Sequence, residues 1–224
     1  MFDWIFVKLG AFAYLLGSVP AAYIVARMVK GIDLRKHGSG NVGASNVARS
    51  ISKWMAVPVF TFDIGKGYFL VWLAGLAGLD LFYQLLIGTL AVIGHNWPVF
   101  LKFNGGRGIA TSFGVVLSVS PLLGIIVFIM SYALAPFKQL ALGVLIAFIS
   151  LPLFSWFLPG ILGIDDSGGA AAGFLVMLFL VIMRRLVQPR SEIGRDLSLA
   201  ELFLNRLVFD RDIRSRDAWV NRQS

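Results

Sequence analysis

The chain alternates long apolar runs with short polar stretches that are rich in glycine and basic residues. A helix needs about 20 residues to cross a hydrocarbon core about 30 Å thick, and most of these runs approach that length. The runs that predict membrane-spanning segments cover residues 4–28, 54–76, 81–101, 109–135, 140–158 and 170–186. The pattern therefore predicts an all-α fold, a polytopic transmembrane helical bundle.

The run at 109–135 has two interpretations, because Ser118-Val119-Ser120-Pro121 interrupts it. At about 1.5 Å per helical residue it is tight for two full crossings. We therefore predict two short or tilted helices that break near Pro121, which gives seven transmembrane helices in all. In the six-helix alternative this run crosses once, and the C-terminal tail moves to the other side of the membrane.

Composition agrees with a membrane protein, since 58% of the residues are hydrophobic and only 14% are charged, against about 25% charged in soluble domains. The absence of Cys excludes disulfides and thiolate sites, and the His count of 2 leaves no histidine-rich cluster. We expect no metal and no cofactor. The net charge is +8, but the basic residues flank apolar runs, which favours membrane lipids over nucleic acid as partners.

The distribution of lysine and arginine predicts the orientation. Basic residues lie in 30–53, in 102–107, at Lys138 and densely from Arg184 onward. The loops between these positions carry Asp80, Asp165 and Asp166 and no basic residue. The excess of positive charge on cytoplasmic loops then predicts an N-terminus outside and a C-terminus in the cytoplasm. Met1-Phe2-Asp3 lacks the basic start of a signal peptide, so the first run is expected to remain as a span.

We divide the chain into a transmembrane domain, 1–187, and a charged cytoplasmic tail, 188–224. Within the tail, Ser198-Leu199-Ala200-Glu201 has the capping-box pattern of a helix start. The apolar residues that follow at helical spacing are Ala200, Phe203, Leu204, Leu207 and Val208. They predict an amphipathic helix that either lies on the cytoplasmic leaflet or docks onto the loops of the protein.

The first polar stretch, Lys36-His37-Gly38-Ser39-Gly40-Asn41-Val42-Gly43-Ala44-Ser45-Asn46-Val47-Ala48-Arg49, has the composition of an anion-binding loop. Its glycines let the backbone curl so that consecutive N–H groups face an oxyanion. Ser39, Asn41, Ser45 and Asn46 add neutral hydrogen-bond partners, and Arg49 adds a planar cation suited to phosphate. A helix that starts at Ala44 would also favour an anion at its N-terminus. The alternative is an ordinary turn between two spans.

The second polar stretch is a glycine-rich loop around one arginine. Gly105, Gly106 and Gly108 surround Arg107, and Thr111 then opens an apolar run, as in an anion-binding loop that leads into a helix. The spacing of a Walker A loop is absent. In this local sequence nothing bulky beside Arg107 competes for a ligand, whereas Lys102 is as readily explained by contact with lipid headgroups.

Three ionisable residues lie near or within the spans. His95 ends the third span, where it either caps the helix or acts as an acid, a base or a phosphate ligand. Asp63 and Lys66 share one face of the second span. They form either a structural ion pair or a unit in which Lys66 completes a cationic pocket and Asp63 orients it.

Two segments, YLLGSVPAAYIVARMVKGIDLRKHGSGNVGASNVAR and GHNWPVFLKFNGGRGIATS, resemble the bacterial acylphosphate:glycerol-3-phosphate acyltransferases, the PlsY family. The Asp-x-x-Lys-Gly that begins at Asp63 is also similar to that family. The resemblance covers roughly 14–120, and the later spans more loosely. It implies acyl transfer from acyl phosphate to the sn-1 hydroxyl of glycerol 3-phosphate in phospholipid biosynthesis. It also implies lysophosphatidic acid and phosphate as products, seven transmembrane helices, an active site at the cytoplasmic face of the bacterial inner membrane, and a functional link to an enzyme that makes acyl phosphate.

The residues that match the motifs of the family are Ser39, Asn41, Asn46, Arg49, His95, Gly105, Gly106 and Thr111. Arg107 stands where the family usually has lysine, and Ser45 where it has threonine. The end of the last span departs from the family, with Arg184-Arg185-Leu186-Val187-Gln188 in place of an H-R-E-N-like motif. Gln188 and Asn205 are the candidates to compensate for the missing side chains.

From these matches we expect Ser39 and His95 to be catalytic. The residues expected to bind substrate phosphate are Asn41, Asn46, Arg49, Lys66, Gly105, Gly106, Arg107 and Thr111. The glycerol hydroxyl would attack the acyl carbonyl directly, with His95 or a phosphate oxygen of the donor as general base. One alternative is a membrane transporter or binding protein for a phosphorylated metabolite, although the spans offer few polar residues to line a path. Another is a diverged, catalytically weak family member with a regulatory role.

Overall fold

The computed structural model describes residues 2–221, and in this part of the chain the regular elements are helices, with no β-strand. The α-helices are α1 (Phe2–Gly17), α2 (Ala21–Lys30), α3 (Ala44–Ser50), α4 (Lys53–Leu76), α5 (Leu81–Asn96), α6 (Ile109–Val119), α7 (Pro121–Ala133), α8 (Leu140–Phe157), α9 (Pro159–Leu162), α10 (Ser167–Leu186), α11 (Leu199–Phe209) and α12 (Arg216–Asn221). Short 3-10 helices occur at Leu34–Lys36, Val99–Leu101 and Glu192–Gly194.

Within residues 2–221, five helical segments are long and apolar enough to cross a membrane, namely Trp4–Lys30, Lys53–Leu76, Leu81–Leu101, Leu140–Phe157 and Ser167–Leu186. The apolar helices α6 and α7 are shorter. They separate at Ser120, as the predicted break near Pro121 requires. The Ser120 hydroxyl caps α7 by accepting a hydrogen bond from the Leu123 N–H at 3.2 Å, and Pro121 occupies the first helical position, where its missing N–H costs nothing.

The first predicted span is interrupted between α1 and α2, which the sequence analysis did not anticipate. The N–H and the hydroxyl of Ser18 both donate to the Tyr14 carbonyl, at 2.9 and 2.8 Å. Pro20 has no N–H to continue the helix, and α2 starts after it. The break leaves the Gly17 carbonyl available, and it accepts a hydrogen bond from Lys66 Nζ at 3.0 Å.

Close helix contacts fix the positions of the helices that carry the site. Helix α4 packs against α6, α1 packs against α5, and α10 packs against both α5 and α8. The α4–α6 contact depends on two glycines. A Cβ at Gly67 would overlap the Thr111 carbonyl, and one at Gly114 would overlap the Ile64 carbonyl. Small residues of this kind let two backbones approach closely in a membrane.

The two polar stretches lie at the same end of the bundle. A small apolar cluster holds them together. Its buried members include Val42 and Val47 from the first stretch, Leu34 just before it, and Leu101, which precedes the second stretch. Arg35 Nη1 adds a hydrogen bond to the Leu101 carbonyl at 3.4 Å. The folding of one loop onto the other brings the cations of both stretches to one end of the bundle.

Helix α11 begins at the predicted capping position, since the Ser198 hydroxyl accepts a hydrogen bond from the Glu201 N–H at 3.2 Å. The helix docks on α8 and α10, but not through the predicted apolar stripe. The docked face buries Leu202, Asn205 and Arg206, whereas Phe203 and Leu204 are exposed. The apolar stripe therefore lies largely outside the interface with α8 and α10, and polar side chains of α11 form most of that interface.

Candidate active site

A cleft of about 590 Å³ opens at the end of the bundle where the polar stretches meet. Its ionisable and polar lining residues are Ser39, Asn41, Ser45, Arg49, Lys53, Asp63, His95, Arg107, Tyr132, Lys138, Arg185, Asp210, Arg211 and Arg216. Its apolar lining includes Val57, Phe60, Ile109, Phe113, Leu140 and Val144. A wall of cations beside an apolar wall suits a ligand that has an anionic head and a hydrocarbon chain.

Asn46 organises the first loop from beneath and is fully buried. Its side-chain N–H groups donate to the carbonyls of Leu34, His37 and Asn41, at 3.2, 2.9 and 3.0 Å. Its Oδ1 accepts hydrogen bonds from the Ser39 N–H and the Ser50 hydroxyl. Every polar atom of the side chain is thus engaged, so the geometry favours a supporting role over the direct phosphate contact expected from the sequence.

The face of this loop that borders the cleft carries Ser39, Asn41 and Arg49. The Asn41 N–H donates a long hydrogen bond to the Ser39 hydroxyl, 3.5 Å away. Arg49 extends from the last turn of α3 and is exposed. Burial lowers the pKa of its guanidinium below the ordinary value, and the charge of Arg216 lowers it further.

The second loop lies directly against His95. The Gly106 N–H donates to the His95 carbonyl at 3.0 Å, and a Cβ at Gly106 would overlap the imidazole Nε2. A Cβ at Gly105 would overlap the His95 carbonyl in the same way. These glycines therefore permit a close approach to His95. The Gly106 N–H is not open to an anion, contrary to the sequence expectation of a phosphate-binding nest.

Arg107 lines the cleft, but it already has an ion-pair partner, which its local sequence does not indicate. Its Nη1 lies 2.7 Å from Oδ2 of Asp210, a partly buried ion pair with the tail. Asp210 follows α11 in a left-handed conformation with φ of 56°, which turns its side chain toward Arg107. The sequence analysis overlooked this partner because the two residues belong to different polar segments.

Asp63, Lys66 and His95 form a buried group below the cleft. Lys66 Nζ lies 2.8 Å from Asp63 Oδ1, 3.1 Å from His95 Nδ1 and 3.0 Å from the Gly17 carbonyl. Asp63 Oδ1 is also 3.3 Å from His95 Nδ1. Lys66 has three N–H groups and three neighbouring acceptors. The structural alternative for Lys66 is therefore favoured over direct binding of phosphate, while Asp63 and His95 both reach the cleft wall.

Thr111 was expected to bind phosphate, but it lies in the interface between α4 and α6 and is fully buried. Its hydroxyl has no hydrogen-bond partner among the described residues, and neither does the buried side chain of Asn96 at the end of α5. Thr111 does not line the cleft. Its visible role is the contact of its carbonyl with Gly67 described above.

The end of the last span, where the sequence departs from the family motif, forms hydrogen bonds to other parts of the site. Arg184 Nε and Nη2 donate to the carbonyls of Gly106 and Gly105, at 3.0 and 3.4 Å, and its guanidinium lies 5.5 Å from the centre of the Trp97 ring. Arg185 is buried and donates to the carbonyls of Leu207 and Ala141, at 2.6 and 2.8 Å. These two arginines hold the second loop and the tail in place.

The two candidates to compensate for the missing family side chains differ in position. Gln188 Nε2 lies 3.4 Å from Asp210 Oδ1, so it supports the carboxylate that pairs with Arg107. Asn205 is buried and donates to the Asp212 carbonyl at 2.8 Å, away from the cleft. Among the described residues, no group of three histidine, aspartate or glutamate side chains is arranged to hold a metal ion.

Comparisons with known proteins give a consistent result. Residues 7–197 match the family model described as Glycerol-3-phosphate acyltransferase. Glycerol-3-phosphate acyltransferase 4 of Dehalococcoides mccartyi strain CBDB1 is 45% identical over 94% of this chain and 91% of its own length. Glycerol-3-phosphate acyltransferase 5 from another strain of that species is 43% identical over 98% of this chain and 94% of its own length.

Solved structures show the same fold. The crystal structure of PlsY (YgiH), an integral membrane glycerol 3-phosphate acyltransferase, in its glycerol 3-phosphate form aligns with a TM-score of 0.73. It is 34% identical and covers 94% of this chain and 95% of that chain. The lysphosphatidic acid form aligns with a TM-score of 0.72 at 33% identity, and covers 96% of this chain and 97% of that chain.

Proposed function

The chain belongs to the glycerol-3-phosphate acyltransferase family of integral membrane proteins, and on that basis we propose that it transfers a fatty acyl group from acyl phosphate to the sn-1 hydroxyl of glycerol 3-phosphate. The observation that carries this proposal is the cleft, in which arginines from both polar loops and an apolar wall border one space. Two phosphate-bearing substrates, one of them a lipid, need that combination of surfaces.

The membrane arrangement that we propose has seven crossings, with α6 and α7 as two short crossings, an N-terminus outside and a C-terminus in the cytoplasm of a bacterial cell. Arg49, Arg107, Lys138 and Arg211 all border one cleft, and the excess of positive charge on cytoplasmic loops assigns that end to the cytoplasm. Residues 1–187 would form the acyltransferase domain in the inner membrane. Residues 188–224 would form the cytoplasmic tail.

The tail helix α11 contributes to that arrangement as an interfacial helix. Its exposed apolar residues Leu199, Phe203 and Leu204 would enter the headgroup layer of the inner leaflet, as amphipathic helices do. Its opposite face is held by Arg185.

We assign direct contacts with substrate phosphate to Arg49, Arg107 and Asn41, and a catalytic contact to Ser39, because all four border the cleft. Asn46, Lys66 and Thr111, together with Gly105 and Gly106, act as positioning residues, since their polar groups are buried or already used. Positioning of this kind is a large part of catalysis when two substrates must meet in one orientation.

His95 acts in this proposal as a hydrogen-bond donor. Lys66 Nζ, which has no acceptor capacity, lies 3.1 Å from His95 Nδ1. Asp63 Oδ1, 3.3 Å from the same Nδ1, favours the opposite tautomer. We assign the acceptor role to Nδ1 because Lys66 is the nearer partner, and a neutral imidazole then carries its proton on Nε2. An Nε2–H donor would stabilise the negative charge that develops on the acyl carbonyl oxygen. His95 in this tautomer has no free lone pair with which to accept the proton of the glycerol hydroxyl.

The reaction balances without a covalent enzyme intermediate. The sn-1 oxygen of glycerol 3-phosphate forms a bond to the acyl carbon, and the bond from that carbon to the phosphate oxygen breaks. The proton of the hydroxyl moves to an oxygen of the departing phosphate. The products are lysophosphatidic acid and hydrogen phosphate. Acyl phosphate would come from a partner enzyme that makes it, and neither metal nor cofactor is required.

The test is an assay of the purified full-length protein in lipid nanodiscs with palmitoyl phosphate and radiolabelled glycerol 3-phosphate. Formation of labelled lysophosphatidic acid supports the proposal, and replacement of the donor by palmitoyl-CoA should abolish it. Uptake of glycerol 3-phosphate into proteoliposomes without any acyl product would instead establish a transporter. Neither product nor uptake would point to a catalytically weak member of the family.

A further inference from the structure

The tail spans the mouth of the cleft and contacts several of its walls. Asp210 pairs with Arg107 of the second loop at 2.7 Å. Asp217 lies 3.8 Å from Lys138, in the loop between α7 and α8, and the Leu207 carbonyl is bound by Arg185 at the end of α10. The contacts bring residues that follow α11, including Arg211 and Arg216, to the lining of the cleft.

A buried ion pair gives this segment a defined shape. Arg206 Nε lies 2.7 Å from Asp212 Oδ1, and both side chains are almost fully buried. The other Asp212 oxygen accepts hydrogen bonds from the N–H and hydroxyl of Ser191, at 2.7 and 2.6 Å. Arg206 Nη1 also donates to the Leu186 carbonyl at 2.7 Å. The chain on either side of Arg211 is therefore anchored to the end of the last span.

Two tail arginines share the cleft wall with Arg49. The guanidinium of Arg211 is oriented by hydrogen bonds to the carbonyls of Ile213 and Arg214, at 3.0 and 2.6 Å, and it lies 5.2 Å from the centre of the Phe209 ring. Arg216 extends from the start of α12. No ion pair with a carboxylate is present for Arg49, Arg211 or Arg216 within the described part of the chain.

Like charges crowd this wall. Burial lowers the pKa of Arg211, and the charge of Arg216 lowers it further, against an opposing effect of Asp210. Arg216 has the same effect on Arg49. Asp217 opposes this effect as well, but Asp210 and Asp217 form their ion pairs with Arg107 and Lys138. Arginines that repel one another favour an anion between them, and the planar guanidinium matches the geometry of phosphate oxygens.

We propose that Arg211 and Arg216 of the tail, together with Arg49, form a second phosphate-binding position that holds the phosphoryl head of the acyl donor. This inference rests on the proposed function and names the residues that would bind the phosphate of the acyl donor and not that of glycerol 3-phosphate. Arg107 then serves the phosphate of the acceptor, and the two phosphates bind beside each other in one cleft.

The direction of the apolar wall assigns this position to the donor. Lys53, Val57 and Phe60 follow i, i+4, i+7 spacing on α4, and all three line the cleft, so they share one helix face. Along this face the cation Lys53, at the start of α4, gives way to the apolar side chains of Val57 and Phe60. A molecule with a phosphate head at Arg49 can place its hydrocarbon chain along Val57 and Phe60. Glycerol 3-phosphate has no hydrocarbon chain and cannot make this contact.

The experiment compares the double variant R211Q/R216Q with R195Q, which changes an exposed tail arginine that does not line the cleft. In initial-rate assays we expect the double variant to raise KM for palmitoyl phosphate by about tenfold or more, the equivalent of one lost charged hydrogen bond. KM for glycerol 3-phosphate should stay within about twofold of the wild-type value, and R195Q should match the wild type.

A binding measurement gives a readout that does not depend on turnover. The probe is a hexadecyl phosphonate, which has the head and chain of the donor but no acyl group to transfer, and its affinity should fall by the same factor in R211Q/R216Q. Unchanged KM and unchanged affinity would overturn the inference, as would a rise confined to KM for glycerol 3-phosphate. A loss of affinity seen only in anionic nanodiscs would also overturn it, since it would identify a lipid headgroup as the ligand.

Two controls separate the possible failures. The lysine variant R211K/R216K keeps the charge but not the planar guanidinium, so it should recover part of the affinity if the tail remains folded. No recovery, together with faster proteolysis of the tail, would assign the arginines a structural role and overturn the inference. If the wild-type protein forms no lysophosphatidic acid, the proposed function fails, and the phosphonate affinities alone decide whether the anion position exists.

Discussion

Nη1 of Arg107 lies 2.7 Å from Oδ2 of Asp210, so a carboxylate of the tail forms an ion pair with one of the cations that line the cleft. A phosphate that approaches Arg107 meets both the attraction of the arginine and the repulsion of Asp210. We therefore predict that Asp210→Asn lowers KM for glycerol 3-phosphate by up to about fivefold, the scale of a partly exposed ion pair. The same assay on Asp196→Asn, an exposed tail aspartate, is the control. A raised KM in Asp210→Asn would show that the carboxylate positions Arg107 instead.

The protonation state assigned to His95 leads to a prediction about its replacements. Glutamine retains an N–H donor, so His95→Gln should keep more activity than His95→Ala, which we expect to lose about 100- to 1000-fold in kcat. The pH dependence of kcat in His95→Gln should follow that of the wild type, because no proton is transferred to this side chain. His37→Gln changes the other histidine, outside the cleft lining, and serves as the control. Equal inactivity of the Gln and Ala variants would favour His95 as the general base.

The supporting role of Asn46 in the first loop can be tested by measuring how well the loop is ordered without its side chain. Asn46→Ala removes the donor to three carbonyls at 2.9 to 3.2 Å, and each buried group left unpaired costs about 1–3 kcal/mol. Hydrogen exchange measured by mass spectrometry should speed up over residues 34–46, and KM for the phosphate substrates should rise. Asn104→Ala, at an exposed position in the second loop, should leave exchange at residues 34–46 unchanged. Wild-type exchange in Asn46→Ala would remove the assigned role.

Asp212 gives the order of the tail a pH dependence. Burial alone would raise its pKa, but hydrogen bonds from Arg206 and Ser191 outweigh burial and lower it. A carboxylate whose pKa is lowered by folding stabilises the fold above its unfolded pKa of about 3.9, and the effect is lost as the pH falls through the folded value. The wild-type tail should thus resist proteolysis at pH 5 and above.

Asp212→Asn should be cut in the tail even at neutral pH, because Arg206 loses its buried partner. Trypsin can be used at neutral pH and pepsin at acid pH to follow this cleavage. Equal resistance of the variant and the wild type at neutral pH would contradict the anchoring role given to this pair.

Much of the fold can be predicted from the sequence, because the length of an apolar run is read directly from consecutive residues. The helices α4 and α8 span Lys53–Leu76 and Leu140–Phe157, close to the predicted runs, and the break at Ser120 is where Pro121 predicts it. The interruption at Ser18 was not predicted, although Pro20 carries the same helix-breaking signal as Pro121. It permits a long-range contact, namely the hydrogen bond that Lys66 Nζ donates to the Gly17 carbonyl.

The residues that line the cleft were predicted in part. Charge and glycine content identified Arg49 and Arg107, and both line the cleft. Sequence could not separate the residues that face the cleft from those that support it, because Ser39 and Asn46 lie in one motif yet only Asn46 is fully buried. The tail residues escaped detection because their spacing carries no motif, and only the turn at Asp210 brings them to the cleft.

The most direct test of the account is the rate of acyl transfer by variants of the two loop arginines. Arg49→Gln and Arg107→Gln should each lower kcat/KM by about 10- to 100-fold, the loss expected for one charged hydrogen bond, while Arg195→Gln should match the wild type. Full activity in both loop variants, with each folded as the wild type, would contradict the claim that the cleft between the loops is where the substrates react.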